Sequence, residues 1–392
     1  MSDVGSADES LLSGYEGRLL LAVSVGWLAI QGGRLVLSPM LPEVKADIGM
    51  SDTQAGFAFT VIWGLYALLQ YPSGRLSDVL SRKLLLVAGL GLVSVGFLVL
   101  GTAPGYLVFL GGAAIVGVGA GLYPTAARAL VSDLFVERRG QAFGLHTASG
   151  DLGGVSAAGL AAVVLAVAVW RMVYLPIVIA VLLVALALHV WHREEYAVGR
   201  ADLAVRATAH RLVGTPAVRR LLIAYALYAF VWQAATGFLP TYLEQGKHLP
   251  SSVATASFAL LFGVGVVVKP VAGSLSDRIP RAVLAPTVSG IGALALVTVV
   301  FADSSGTVLL ATTVFAAGLM AFPPVMQAYL MDTFPAASAG GDLGATRSVY
   351  IGLGSFGTTY VGGVADLLSY RVAFLGLAAM LALSAITVGT TR

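Results

Sequence analysis

The sequence consists of long apolar runs separated by short polar segments. Twelve runs approach the roughly 20 residues that a helix needs to cross a bilayer, and they follow one another from Leu19 almost to the C-terminus. The runs are too long for barrel strands and lack the alternation of polar and apolar residues that such strands show. They predict membrane-spanning helices near residues 19–41, 54–71, 84–103, 107–130, 142–165, 172–191, 220–240, 253–269, 283–302, 308–331, 343–365 and 372–390.

The two halves of the chain carry the same landmarks at an offset of 198 to 200 residues. Six helices per half give both copies the same orientation, so the repeat is parallel, about an axis along the membrane normal. We therefore predict an all-α integral membrane fold of two six-helix bundles with a solute cavity between them. The landmarks that meet are Pro42 with Pro240, Asp78 with Asp277, Arg82 with Arg281, Asp133 with Asp332, Gly144 with Gly344, and Gly154 with Gly354.

This repeat divides the chain into a tail at 1–18, a first bundle at 19–192, a linker at 193–219 and a second bundle at 220–392. The basic residues of the loops are unevenly divided between the two sides of the membrane. If the N-terminus is cytoplasmic, most basic loop residues lie on the cytoplasmic side, as the positive-inside rule requires. We expect a multi-pass plasma membrane protein with both termini in the cytoplasm, whose outer loops hold only Lys45, Arg171, Lys247 and Arg371.

Composition excludes several classes of protein. Hydrophobic residues make up 58% of the chain and charged residues only 11%, against roughly 25% charged residues in a soluble domain. The chain has no cysteine, and its five histidines lack metal-ligand spacing. There is no phosphate-binding Gly-x-x-x-x-Gly-Lys-[Ser/Thr] loop, and the basic residues are spread over short loops. We expect neither an enzyme nor an ATP-driven pump, with no metal, no cofactor and no nucleic acid bound.

A run of alternating glycines at 117–121 has a spacing like that of a dinucleotide-binding loop. The run lies inside an apolar segment, with no soluble strand before it and no acidic residue after it. Small residues in such a segment are typical of closely packed membrane helices. We therefore predict a helix contact at these glycines.

Two loops carry a related polar motif, at 74–83 and at 273–281. Each begins with a glycine, which permits a tight turn, and contains an aspartate that can pair with an arginine four residues later. Both loops resemble the signature loop of the major facilitator superfamily, and each follows the second helix of its half. Val79, Ser81 and Pro280 depart from the family pattern. The resemblance implies the fold of that superfamily and transport by alternating access.

The resemblance also implies a charge relay that latches the cytoplasmic side when that side closes. An aspartate brought to a helix N-terminus in the opposite half would gain further stability from the helix dipole. The alternative is that these residues form ordinary loop salt bridges. The two predicted gating clusters are Gly74, Asp78, Arg82 and Asp133 in the first half, and Gly273, Asp277, Arg281 and Asp332 in the second.

Ionisable residues at membrane depth are candidates for the transport site, because a charge at the bilayer centre costs roughly 2.5 to 3.5 kcal/mol. Arg34 lies deep in the first predicted helix and could hold an anionic substrate through its guanidinium group. It could instead pair with a carboxylate of another helix or reach outward to the membrane surface. Asp151, near mid-depth in the fifth helix, is a candidate proton carrier or a partner of Arg34. His146 could share its proton path.

Further polar and aromatic residues are predicted to line the cavity. Gln233 occupies the repeat position of Arg34. Arg347 could draw anions into the cavity or pair with Asp332 or Asp342, and Lys269 could attract anions or reach toward the interface. The predicted substrate-binding set is Arg34, Tyr66, Trp232, Gln233, Arg347 and Tyr350.

These features predict a monomeric secondary transporter of a small organic solute. The intramembrane arginines favour an organic anion, and the titratable groups favour coupling to an ion, the proton first. Efflux of hydrophobic drugs or metabolites is the alternative within transport. A non-transporting membrane sensor and a membrane enzyme are less favoured, because the only sizeable polar segment is the linker.

Overall fold

The computed structural model describes residues 10–77, 79–199, 214–334 and 339–390. Within these ranges the chain forms thirteen α-helices and no strand. The short helix among them is α2, and the other twelve are long. The helices are α1 Gly14–Leu35, α2 Leu41–Ile48, α3 Asp52–Leu76, α4 Arg82–Thr102, α5 Tyr106–Leu134, α6 Arg139–Val167, α7 Tyr174–Trp191, α8 Pro216–Thr241, α9 Ser251–Ser276, α10 Arg281–Phe301, α11 Ser305–Thr333, α12 Ala339–Leu367 and α13 Tyr370–Gly389.

The twelve long helices lie where the apolar runs predict them. Nine are long and apolar enough to cross a membrane by length and composition alone. The other three, α1, α3 and α12, are less apolar because each contributes polar residues to the protein interior. The predicted linker at 193–219 lies partly outside the described residues, and α8 begins within it at Pro216.

Three predicted helix boundaries at prolines are wrong. The first predicted helix, 19–41, ends at Leu35, and a separate helix begins at Leu41 with Pro42 in its first turn. Proline fits there because N–H groups of the first turn have no partner within the helix. Conversely, α3 continues through Pro72 and α9 through Pro270. Packed neighbours in a membrane protein can satisfy the carbonyl that a proline frees.

The tight turns predicted at Gly74 and Gly273 are also wrong. Both glycines lie in the last turns of their helices, α3 and α9. Neither has a positive φ angle, which in the described glycines occurs only at Gly14 and Gly49. The chain turns after these helices end, at Ser77 in the first half and at Asp277 and Arg278 in the second.

The long helices form two bundles that meet along two helix pairs. Helix α3 packs against α12, and α6 packs against α9. Helices α3 and α9 are the second long helices of their halves, whereas α6 and α12 are the fifth. The two contacts are therefore equivalent under the internal repeat.

Equivalent ion pairs mark one face of the protein in both halves. Arg82 pairs with Asp133, and Arg281 pairs with Asp332 at the corresponding positions. We call this the terminal face, because α1 begins and α13 ends there. The other side, where α2 lies, is the distal face.

Polar contacts between the bundles close the distal face. Lys45 pairs with Asp52, and the Tyr370 hydroxyl of the second bundle donates to the same carboxylate. Asp366 of α12 accepts from the backbone N–H groups of Asp52 and Thr53, at 3.2 and 2.8 Å. Because a carboxylate is stabilised at a helix N-terminus, this contact joins α12 to the start of α3.

Glycines allow the closest helix contacts, as the sequence predicts for 117–121. A Cβ added at Gly117 would lie 2.7 Å from the carbonyl oxygen of Ile62 in α3. A Cβ at Gly119 would lie 2.7 Å from the backbone nitrogen of Val93 in α4. Helix α5 is thus held against two neighbours through positions that admit no side chain.

We expect Gly119→Leu to destabilise the protein by about 1–3 kcal/mol, the usual effect of overpacking, and to lower the Tm of the purified protein. Gly111→Leu is the matched control on the same helix, because Gly111 is exposed and a Cβ there meets no atom within 4 Å. Thermal unfolding in detergent measures both. Equal Tm values for the two variants would contradict the proposed packing.

Candidate functional site

The centre of the site is Arg34, near the end of α1. Its side chain is only 3% exposed. Nη1 donates to Oε1 of Gln31 at 3.0 Å, whereas Nε and Nη2 have no hydrogen-bond partner among the described residues. Arg34 also forms no ion pair with a carboxylate of the described residues. The guanidinium therefore presents charged donors with no acceptor, which is costly in a buried position.

Two aromatic rings of α3 lie against this guanidinium. Its Cζ lies 3.9 Å from the ring centroid of Trp63 and 4.3 Å from that of Tyr66, both on α3. The face of an aromatic ring attracts a cation, so these rings hold the charge without neutralising it. Trp232 of α8 packs edge-on against Trp63 with centroids 5.2 Å apart. Arg34, Tyr66 and Trp232 thus belong to one cluster, which Trp232 joins through Trp63. Their role in substrate binding stays a prediction.

Arg347 reaches the same tyrosine from the second bundle. Its guanidinium interacts electrostatically with the Tyr66 side chain. Nε of Arg347 is buried and has no partner in the described part of the chain. Asp332, one of the two carboxylates suggested as a partner of Arg347, pairs with Arg281. Pairing of Arg347 with Asp342 stays a prediction.

A third arginine, Arg128 of α5, lies near the site and is absent from the set predicted from the sequence. It interacts electrostatically with Arg347 and lies near Tyr66 and Tyr350. In the sequence it stands at the end of a predicted span and resembles a loop residue. The repeat offers a signal, because Gln327 occupies the equivalent position and contacts the Tyr225 hydroxyl at 3.4 Å. A polar residue at this depth in both halves indicates an interior position.

Tyr350 and Gln233 lie in the contact between α8 and α12. Tyr350 stacks on Tyr225, with centroids 3.8 Å apart and planes 7° from parallel. Gln233 donates from Nε2 to the carbonyl of Ile351 at 3.0 Å, and its Oε1 is buried with no partner among the described residues. These residues hold α8 against α12 and support the helix that carries Arg347.

Asp151 pairs with Lys269 and not with Arg34. The Lys269 Nζ lies 2.6 Å from Oδ1 and 2.8 Å from Oδ2 of the carboxylate. The pair joins α6 of the first bundle to α9 of the second. Lys269 therefore reaches a carboxylate and not the membrane interface.

His146 is buried near Asp151 in sequence but makes no described contact with it. Its ring lies 6.3 Å from that of Trp27, and its Nδ1 has no hydrogen-bond partner in the described ranges. It interacts electrostatically with Arg128. A proton path through both His146 and Asp151 stays a prediction.

The predicted gating residues form pairs within their own bundles. Arg82 on α4 pairs with Asp133 on α5, and Arg281 on α10 pairs with Asp332 on α11. Arg281 also lies 3.6 Å from Asp277, the carboxylate four residues earlier. The corresponding residue of the first half, Asp78, lies outside the described residues, and the gating role stays a prediction.

Two bacterial transporters are similar in sequence to part of this chain. A probable sulfoacetate transporter of Cupriavidus necator is 26% identical over 268 residues, covering 63% of this chain and 61% of that protein. The chain thus spans about three fifths of that relative's length. A gentisate transporter of Corynebacterium glutamicum is 28% identical over 304 residues, covering 73% of this chain and 68% of that protein.

A solved structure and a family profile each match most of the chain. A bacterial homologue of the human lysosomal transporter Spinster, in its inward-facing and unoccupied conformation, superposes with a TM-score of 0.84. The superposition covers 99% of this chain and 98% of that one at 17% identity, which shows a shared fold. The Major Facilitator Superfamily profile matches residues 23–359. This protein therefore belongs to the Major Facilitator Superfamily.

Proposed function

We propose that this protein carries a small organic anion across the plasma membrane by alternating access and couples the movement to protons. One observation carries the proposal: Arg34 is buried, with two N–H groups that have no acceptor among the described residues. A carboxylate or sulfonate can accept both groups in parallel, which is the strongest geometry for such a contact.

The charge of the site supports an anion over a lipophilic cation. Arg34, Arg128 and Arg347 surround one tyrosine, whereas the carboxylate of Asp151 is already paired with Lys269. A cationic drug would meet repulsion here, which disfavours the efflux alternative. The names of the two relatives point the same way, since sulfoacetate and gentisate are both organic acids.

The route to the site supports alternating access. The distal face is closed by the contacts of Lys45, Asp52, Tyr370 and Asp366. We place the terminal face in the cytoplasm, where the basic loop residues are concentrated. In a state that is open at the terminal face the substrate would leave toward the cytoplasm, and rocking of the bundles about the site would expose it to the distal side.

The ion pair between Asp151 and Lys269 supports proton coupling. It is an ion pair that joins the two bundles at membrane depth, through α6 and α9. Protonation of Asp151 would remove the negative charge and weaken this bond between bundles. Proton binding and bundle movement would then be linked through one carboxylate.

We expect Arg34→Ala to weaken organic anion uptake by about tenfold or more, because a hydrogen bond to a charged group contributes ~1.5–3 kcal/mol. Uptake into proteoliposomes, screened with pools of organic anions and of lipophilic cations, measures the effect. Arg18→Ala is the control on the same helix, at an exposed position. Transport of lipophilic cations alone, or full anion uptake by Arg34→Ala, would overturn the proposal.

We expect Asp151→Asn to abolish accumulation driven by a pH gradient while substrate exchange at equal pH continues, because the variant cannot release a proton there. A pH-sensitive dye inside the liposomes and a labelled anion report the two processes. Asp303→Asn, in the exposed loop before α11, is the control. Unchanged proton movement in Asp151→Asn would place the coupling group elsewhere.

We further expect Arg82→Gln and Arg281→Gln to favour the state that is open at the terminal face, if the gating clusters act as latches. The chain has no cysteine, so a cysteine at Gly344, where an added Cβ meets no atom within 4 Å, reports access through its labelling rate. The rate should rise in both variants and stay unchanged in Arg219→Gln, an exposed residue of the same face. Equal rates in all three would mean that the pairs are only structural.

A further inference from the structure

We propose that Gln31 is a positioning residue of the anion site. Its amide holds one nitrogen of Arg34, so that the other edge of the guanidinium is presented to the substrate with its charge intact. The inference rests on the proposed function. It adds a residue that the predicted substrate-binding set lacks, and it names the kind of side chain that position 31 requires.

The first step is the division of the Arg34 guanidinium into two parts. Nη1 donates to Oε1 of Gln31 at 3.0 Å. Nε and Nη2 are buried and have no hydrogen-bond partner among the described residues. These two nitrogens lie along one edge of the guanidinium, and their parallel N–H groups match the two oxygens of one acidic group. The contact with Gln31 therefore occupies the nitrogen that this edge does not use.

The second step is the close packing that fixes this part of α1. A Cβ added at Gly33 would overlap the ring of Phe97 in α4. A Cβ added at Gly153 in α6 would lie 3.0 Å from the Cβ of Gln31. Gln31 and Arg34 are thus attached to a stretch of helix that has little room to shift. Their side chains are three residues apart, which places neighbouring side chains on one helix face.

The third step is the neutral charge of Gln31. Its amide oxygen accepts a hydrogen bond as a carboxylate does, but it leaves the positive charge of Arg34 in place. Trp63 and Tyr66 attract the same cation through their ring faces, also without neutralising it. A glutamate side chain has nearly the same shape and would accept the same N–H group. It would form an ion pair with Arg34 and repel an anion, so the amide preserves the attraction for substrate.

The test uses two substitutions that separate the hydrogen bond from the charge. Gln31→Leu removes the acceptor, whereas Gln31→Glu keeps an acceptor of similar shape and adds a negative charge. The probes are sulfoacetate, gentisate, succinate and butyrate. Binding to the purified full-length protein is measured by calorimetry, and the KM and maximum rate of uptake are measured in proteoliposomes.

We expect Gln31→Leu to weaken acid binding by about threefold to tenfold, because the guanidinium can then turn away from the substrate. Its KM should rise while its maximum rate stays near that of the wild type. Gln31→Glu should weaken binding by at least about tenfold more than Gln31→Leu does. A merely structural hydrogen bond predicts the reverse order, since a carboxylate would hold Arg34 more strongly than an amide does.

The matched control is Gln141→Glu. Gln141 also accepts from an arginine three residues away, because Nε of Arg138 lies 2.9 Å from its Oε1, but both residues are exposed at the start of α6. This variant should bind the acids as tightly as the wild type. Thermal unfolding in detergent checks that the Gln31 variants are folded, and Gln31→Met, with an unbranched apolar side chain, replaces Gln31→Leu if that variant is unstable.

The outcomes distinguish this inference from the proposed function. If the Gln31 variants bind and move the acids like the wild type, Gln31 does not position Arg34, and anion transport stands. If Gln31→Glu binds the acids as well as Gln31→Leu or better, the neutral charge at position 31 has no role, and the inference fails. If the wild-type protein neither binds nor moves any of the four acids, the proposed function fails together with the inference.

Discussion

A buried cation that forms no ion pair within the described part of the chain is the feature on which the interior of this protein depends. Arg34 lies in a membrane-spanning helix, where an exposed charge would face lipid at a cost of several kcal/mol. The chain solves this problem by surrounding the guanidinium with the faces of Trp63 and Tyr66 and with one amide oxygen from Gln31. None of these groups cancels the charge. The site keeps an attraction for anions that an ion pair would remove.

The same constraint shapes the three helices of lowest hydropathy. Helices α1, α3 and α12 supply Arg34, Tyr66 and Arg347, and they fall short of the hydropathy that marks the other nine. Because one face of each helix points inward, its polar residues do not face lipid. The site is therefore formed by the helices that would be least stable alone in a bilayer. Packing against neighbouring helices stabilises them.

The two contacts between the bundles use different chemistry. Helices α3 and α12 are joined by hydroxyl contacts such as that of Thr60 with the carbonyl of Ser355, at 2.7 Å, and by the Asp366 cap at the distal end. Helices α6 and α9 are joined at membrane depth by the pair of Asp151 and Lys269. The first contact consists of neutral or exposed groups, whereas the second is an ion pair.

The sequence alone determined the class, the number of long helices, the internal repeat and several of the site residues. Hydropathy over about 20 residues reflects a bilayer of fixed thickness, so the spans could be predicted without contacts. Arg34, Asp151 and Arg347 could be identified as candidates because they are ionisable residues within those spans, where a charge is costly. The helix ends at Pro42, Pro72 and Pro270 could not be predicted, since neighbouring helices decide whether a proline ends or only interrupts a helix.

The pairing of the charges was decided only by the tertiary structure. The sequence suggested Arg34 as the partner of Asp151, whereas the packing of α6 against α9 brings Asp151 to Lys269. From the sequence, Arg128 resembled a loop residue. In the structure α5 packs beside α3, and Arg128 lies near Arg347 and Tyr66. A span prediction fixes the depth of a residue along its helix but not the rotation of that helix. The rotation comes from close contacts such as those of Gly117 and Gly119, and it determines which charges meet.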